Sequence, residues 1–147
     1  GKPALTYDRL KLYNRHKAER GLSTRDEPLT PQGYRNWLVD TCADTREVRY
    51  FVARRLVAIS ILDIGRRTAS SVYHYFDPDE AKRSLGVFSV VRELELCAEA
   101  GLEWYYLGFY VEDCRHLAYK GSYWPHQRLI EGEWREFTGP VLPAPGP

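Results

Sequence analysis

Methionine is absent from the 147 residues, and cysteine occurs only three times, at Cys42, Cys97 and Cys114. Three scattered thiols with no CxxC pair exclude a disulfide framework and predict free thiols in a reducing compartment. No apolar run approaches the roughly 20 residues that cross a bilayer, and Gly1-Lys2-Pro3-Ala4 opens no apolar stretch of signal type. These absences predict a soluble, cytoplasmic protein with no membrane partner. A chain without methionine that opens on glycine is also expected to be processed or excised from something longer. His16, His74, His116 and His126 lack metal-ligand spacing, and Cys114-x-His116 is too little for zinc, so no metal is assigned.

Hydrophobic residues make up 44% of the chain, aromatics 14% and charged residues 28%, enough for one globular domain with a real core. We read 1–138 as that domain and the Pro- and Gly-rich stretch 139–147 as a disordered tail. The net charge of +1 hides an asymmetry: residues 1–67 hold 14 basic and 8 acidic side chains, and residues 68–147 hold 7 and 12. Sixteen of the 21 basic residues are arginine, which suits bidentate contact with phosphate or carboxylate, although an arginine-rich genome would give the same count.

Residues 6–20 predict a helix, with Thr6 as N-cap, Tyr7, Leu10 and Tyr13 near one side, a basic opposite side and Gly21 as the stop. Thr30-Pro31 starts a second helix with a Tyr34, Trp37, Leu38 stripe that ends near Asp40 to Cys42. Val48 to Ala53, Leu56 to Ile64 and Ser70 to Phe76 read as an antiparallel meander. Asp77-Pro78-Asp79 breaks the third strand. Ser84 then caps a helix carrying Val87, Phe88, Val91, Leu94 and Ala98, which Gly101 ends. Trp104 to Val111 is a further strand and 112–120 a short helix closed by Gly121. Arg128 to Ile130 and Trp134 to Phe137 flank a Glu131-Gly132-Glu133 hairpin turn. This order matches an α+β, GNAT-like acyltransferase fold: a mostly antiparallel sheet, flanked by helices, that splits between its fourth and fifth strands to admit the acyl donor.

Four segments, Ser70 to Asp79, Ser84 to Ser89, Tyr106 to Val111 and Tyr119 to Pro125, occur in an order that resembles one family, with a weaker echo at Leu12 to Arg15. It is the C-terminal domain of arginyl-tRNA protein transferases and of the bacterial aspartate/glutamate leucyltransferases. The resemblance implies transfer of an amino acid from its tRNA ester to the N-terminal amine of a protein, often one exposing Asp or Glu, marking it for degradation. Aminoacyl-tRNA is then the co-substrate and no cofactor is expected. Lys120-Gly121-Ser122-Tyr123 and Gly86-Val87-Phe88-Ser89 look arginyl, so arginine is the expected donor, while the compact length is more like bacterial members. Full-length members carry a cysteine-rich N-terminal domain. Nothing of that kind is in this sequence, which predicts either a stand-alone domain or part of a longer protein.

An aminoacyl ester is already activated, so catalysis reduces to positioning, a neutral amine and stabilised charge. Asp77, at the end of a strand beside the split, is the expected proton acceptor, against a plain turn reading. Tyr110 would sit on the opposite lip as proton donor to the leaving oxygen, or else be a core tyrosine. Ser84, Leu85 and Gly86 open a helix whose free N–H groups suit a phosphate or the tRNA terminus. Lys120 with Tyr123 would pin a phosphate or the acceptor's acidic side chain, where an ordinary helix-end lysine would only be solvated. Tyr13 and Arg15, with Lys17, Arg20 and Arg25, would face tRNA or an acidic acceptor. Alternatives from the same residues are leucyl transfer, a stand-alone peptide aminoacyl ligase, a tRNA or N-terminus binding domain without turnover, and a CoA-dependent N-acetyltransferase. The single glycine of Arg83 to Phe88 argues against a CoA pyrophosphate loop.

Overall fold

The computed structural model describes residues 1–20 and 27–139. Gly21 as a helix stop, Arg25 and the tail beyond Gly139 lie outside the described residues. Two compact units are present, Gly1–Tyr106 and a second from Leu107 onward.

The first unit opens with α1 (Tyr7–Glu19), where the Thr6 hydroxyl accepts from the Arg9 N–H at 3.3 Å. Its buried residues are Arg9, Leu12, Tyr13 and His16, while Tyr7 is 77% exposed, so the inner face is rotated from the expected Tyr7–Leu10–Tyr13 stripe. Arg9 can go inside because Glu47 is there to receive it. The second helix, α2 (Pro31–Tyr34), is capped by Thr30 as expected and continues as a π-helical turn, Arg35–Val39. Tyr34 and Leu38 are buried and Trp37 is half exposed.

The meander is present as β1 (Asp44–Val52), β2 (Arg55–Ile64) and β3 (Thr68–Phe76), antiparallel throughout, with Asp44↔Ile64 and Ala58↔Phe76 among the paired residues. On one face Ile59, Ile61 and Tyr75 pack against Leu12, Tyr13, Tyr34 and Leu38. On the other, Ala58 and Tyr50 meet Leu85, and Leu62 and Ala69 meet Cys97. Leu85 and Cys97 belong to α3 (Leu85–Glu99), reached from β3 through a 3-10 turn, Pro78–Arg83. Ser84 does not cap α3 with its side chain. It takes a left-handed conformation (φ 51°, ψ 44°) because one helical turn ends and the next helix begins at the same residue. The expected apolar face of α3 is also corrected: Val87, Phe88, Val91 and Leu94 are about half exposed, and Leu85, Ser89, Val90, Glu93 and Cys97 are buried.

The last strand of this unit, β4 (Trp104–Tyr106), runs parallel to β3 only through Thr68↔Trp104, Ala69↔Tyr105 and Ser70↔Tyr106. Beyond Ser70, β3 continues to Phe76 with no strand on that side among the described residues, and this opening is the expected split. β4 is shorter than the Trp104 to Val111 reading because Gly108 turns into the left-handed region (φ 81°). The second unit holds a single turn α4 (Arg115–Ala118), a 3-10 turn Tyr119–Ser122, and a hairpin of β5 (His126–Ile130) and β6 (Glu133–Phe137). Glu131 and Gly132 both take positive φ (53° and 85°), the two-residue turn whose twist matches the strands it joins.

Candidate functional site

In the first unit the expected site residues gather around Asp77. Its side chain is only 6% exposed: Oδ1 accepts from Arg15 Nη1 at 2.9 Å and from the Asp79 N–H at 3.1 Å, and Oδ2 accepts from Arg55. The pairing spreads outward, from Arg15 to Asp79 (2.7 Å) and from Arg55 to Glu80, which also receives Arg83. Proline at 78 and the Asx bond to Asp79 fix the loop; α1 and the start of β2 bring the two guanidinium groups to it. Asp77 therefore holds a charge network together, and both its oxygens are engaged by arginine. Tyr13, expected to face tRNA, is 6% exposed inside the aromatic core, with Tyr34, Tyr73 and Tyr75 as ring neighbours, and burial pushes its hydroxyl up to about 12. The start of α3 lies past the Asp77 loop: Leu85 is buried, and a side chain at Gly86 would meet nothing within 4 Å, so the backbone there is approachable.

In the second unit Tyr110, Lys120 and Tyr123 fall in one loop cluster rather than on a strand. The Arg128 guanidinium lies 3.7 Å from the centre of the Tyr110 ring and 4.3 Å from that of Phe137, a double cation–π contact. Gly121 is required beside it, since a Cβ there would lie 2.8 Å from Arg128 Nη2 and 3.0 Å from the Tyr110 ring. Lys120 Nζ donates to the Phe109 carbonyl at 2.8 Å, and partial burial lowers its pKa. The rings of Tyr119 and Tyr123 are 6.4 Å apart.

The sequence reading missed a buried polar chain behind the split. Glu93, 1% exposed on α3, accepts from Tyr50 (3.3 Å) and from Tyr105, and forms no ion pair among the described residues. Ser60 Oγ donates to the Tyr50 hydroxyl at 3.4 Å and lies 2.9 Å from His74 Nδ1. Burial pushes the Glu93 carboxyl above the usual carboxylate range and holds His74 down at about 3. One sequence signal could have found it: Leu85, Ser89, Glu93 and Cys97 recur every four residues, a helix face with a carboxylate inside it. Among the described residues no group of three or more His, Cys, Asp or Glu side chains is placed to hold a metal, and no helix is long and apolar enough to cross a membrane.

This split sheet is shared with solved acetyltransferases. An aminoglycoside acetyltransferase from an uncultured soil metagenomic sample matches with a TM-score of 0.56 at 12% identity, over 82% of this chain and 83% of that one. The PaiA N-acetyltransferase of Thermoplasma acidophilum matches with 0.54 at 13% identity, over 86% and 87%. The fold is thus that of the GNAT acyltransferases, which at such identities is all these two show. Sequence is more specific. The chain belongs to the arginine-tRNA-protein transferase C-terminal family, whose model, "Arginine-tRNA-protein transferase, C terminus", matches residues 8–130. It is 34% identical over 132 residues to an aspartate/glutamate leucyltransferase of Acinetobacter baumannii, covering 90% of this chain and 49% of that protein. It is 36% identical over 124 residues to one of Aeromonas hydrophila, covering 84% and 52%. The chain spans about half the length of these curated relatives.

Proposed function

We propose that this chain transfers an amino acid from aminoacyl-tRNA to the N-terminal amine of a protein or peptide that begins with Asp or Glu. The observation that carries the reading is the family match over residues 8–130, which runs through the Asp77 loop, the start of α3 and the Tyr110–Lys120–Tyr123 cluster. The donor we assign is leucine, after the leucyltransferases it resembles along most of its length, in place of the arginine expected from the form of two motifs. No cofactor is invoked, because the ester bond supplies the driving force and the protein supplies placement. The test is to mix the chain with labelled leucyl-tRNA or arginyl-tRNA and peptides starting with Asp, Glu or Ala, and to follow label into peptide by mass. Leucine on the acidic peptides supports the reading, and arginine there corrects the donor. tRNA binding without transfer from either makes this a binding domain. Transfer from acetyl-CoA replaces the reading with an acetyltransferase.

Within that reaction Asp77 acts through Arg15 and Arg55, not on the amine, since both its oxygens already accept from guanidinium groups. Asp77→Asn is expected to raise KM for aminoacyl-tRNA about tenfold, the loss of one charge-assisted hydrogen bond, with kcat little changed. A fall in kcat at constant KM would return Asp77 to the role of general base. Tyr110 is assigned as proton donor to the leaving ribose oxygen, with Lys120 and Tyr123 on the substrate. Tyr110→Phe, which keeps the ring under Arg128, should then lower kcat; unchanged turnover would leave Tyr110 as a seat for Arg128 alone.

A further inference from the structure

We propose that the cleft between α1 and the β1–β2 hairpin binds the phosphodiester backbone of RNA. This deepens, and rests on, the aminoacyl-tRNA reading above. The cleft has a volume of about 610 Å³ and lies wholly within the first unit. Lys11 and Arg15 reach it from α1, and Arg49, Phe51, Arg54 and Arg55 from the hairpin.

These cations fall into two sets. Arg15 and Arg55 are fixed by Asp77, Asp79 and Glu80 and form a rigid floor. Arg9, also lining the cleft, is spent on Glu47 and on the Ala4 carbonyl. Lys11 and Arg54 are exposed and form no ion pair among the described residues, and half-exposed Arg49 has only a 3.4 Å contact with Glu47. Three cations with charge to spare thus run from the middle of α1 to the tip of the hairpin. Asp8 also lines the cleft, in the first turn of α1, where a carboxylate complements the helix dipole.

The spread of the cations selects the ligand. A single acidic side chain is satisfied by one converging guanidinium fork, and cations strung along a groove match charges repeated along a backbone. Phe51 adds a second feature. It is 53% exposed among the cations, and a ring so placed offers a face on which any base can stack. An acidic peptide has no comparable use for it.

The test compares the full chain with the variant Lys11→Gln/Arg49→Gln/Arg54→Gln and with Phe51→Ala, reading the anisotropy of a labelled tRNA across a salt series. Circular dichroism checks the fold; all three cations are on the surface. The triple variant should bind tRNA about tenfold or more weakly at about 0.15 M salt, and its slope of log K against log salt should shrink by roughly 2, for three phosphates released. Phe51→Ala should weaken binding by at least about fivefold with the slope unchanged. Unchanged affinity and slope in the triple variant, with a raised KM for an Asp-initiated peptide, would overturn the proposal and give the cleft to the acceptor. RNA binding that the triple variant loses, in a chain that transfers nothing, would uphold the cleft and sink the transferase reading. A wild-type chain that binds no RNA would sink both.

Discussion

Glu47→Ala should destabilise the first unit by about 3–5 kcal/mol, the cost of leaving a buried charge without its partner. Glu47 is 3% exposed and Arg9 9%, and Arg9 spans the two elements it joins, donating to the Ala4 carbonyl at 2.9 Å and to the Glu47 carboxylate. One carboxylate oxygen, Oε2, is buried with no hydrogen-bond partner, and burial holds the Glu47 pKa above the ordinary range despite the pull of Arg9 and Arg49. The pair as a whole is thus poorly repaid for its desolvation, and removing half of it is far worse than removing all of it. Arg9→Met/Glu47→Leu should therefore recover most of the stability that Glu47→Ala loses. Urea unfolding of the two variants decides the matter: a double variant as unstable as the single one would show that the site needs the charges themselves.

Acid should weaken the same unit well before its ordinary carboxylates titrate. His16 is 3% exposed, with Nδ1 3.2 Å from the Phe76 backbone N–H and 3.1 Å from its carbonyl, and burial lowers its pKa to about 4. His74 is held at about 3, again by burial, with His16 and Arg20 nearby. Both side chains stay neutral in the native state while the unfolded chain takes up protons near pH 6.5. Their contribution is therefore complete above that pH and is lost as pH falls from there through the native values. Between about pH 7.5 and about pH 5 each histidine should remove about 2 kcal/mol. The raised carboxyls of Glu47 and Glu93 act with the opposite sign, favouring the native state as pH falls, so the informative reading is a difference in slope. His16→Asn should flatten the dependence of unfolding free energy on pH by its share; an unchanged slope would mean that His16 is already charged in the native protein.

The sequence made the local grammar of the fold readable. Thr6 and Thr30-Pro31 mark helix starts through side chains that cap their own backbone, and the turn at Glu131-Gly132 announces itself by a glycine between alternating runs. Polar residues in the interior hid the rest. The first half of β1 points Thr45 and Glu47 inward, α1 buries Arg9, and α3 buries Ser89 and Glu93, so each inner face looked like a surface. On α3 the outward side is apolar as well, and periodicity chose the wrong one. The aromatic run from Trp104 reads as a long strand until Gly108 turns it. The motif residues of the site were legible by resemblance, but their partners were not: Asp77 meets arginines 62 and 22 residues earlier in the chain, and nothing local encodes such pairings.

Those separations also order events in time. A carboxylate that must collect one guanidinium from α1 and another from the start of β2 can be seated only after the helix, the meander and the turn beyond β3 are already neighbours, with the entropy of both loops spent. The Asp77 network is therefore a late acquisition in folding and an early loss in unfolding. It sets how long the loop leading into α3 stays closed, and contributes little to how fast the sheet first assembles.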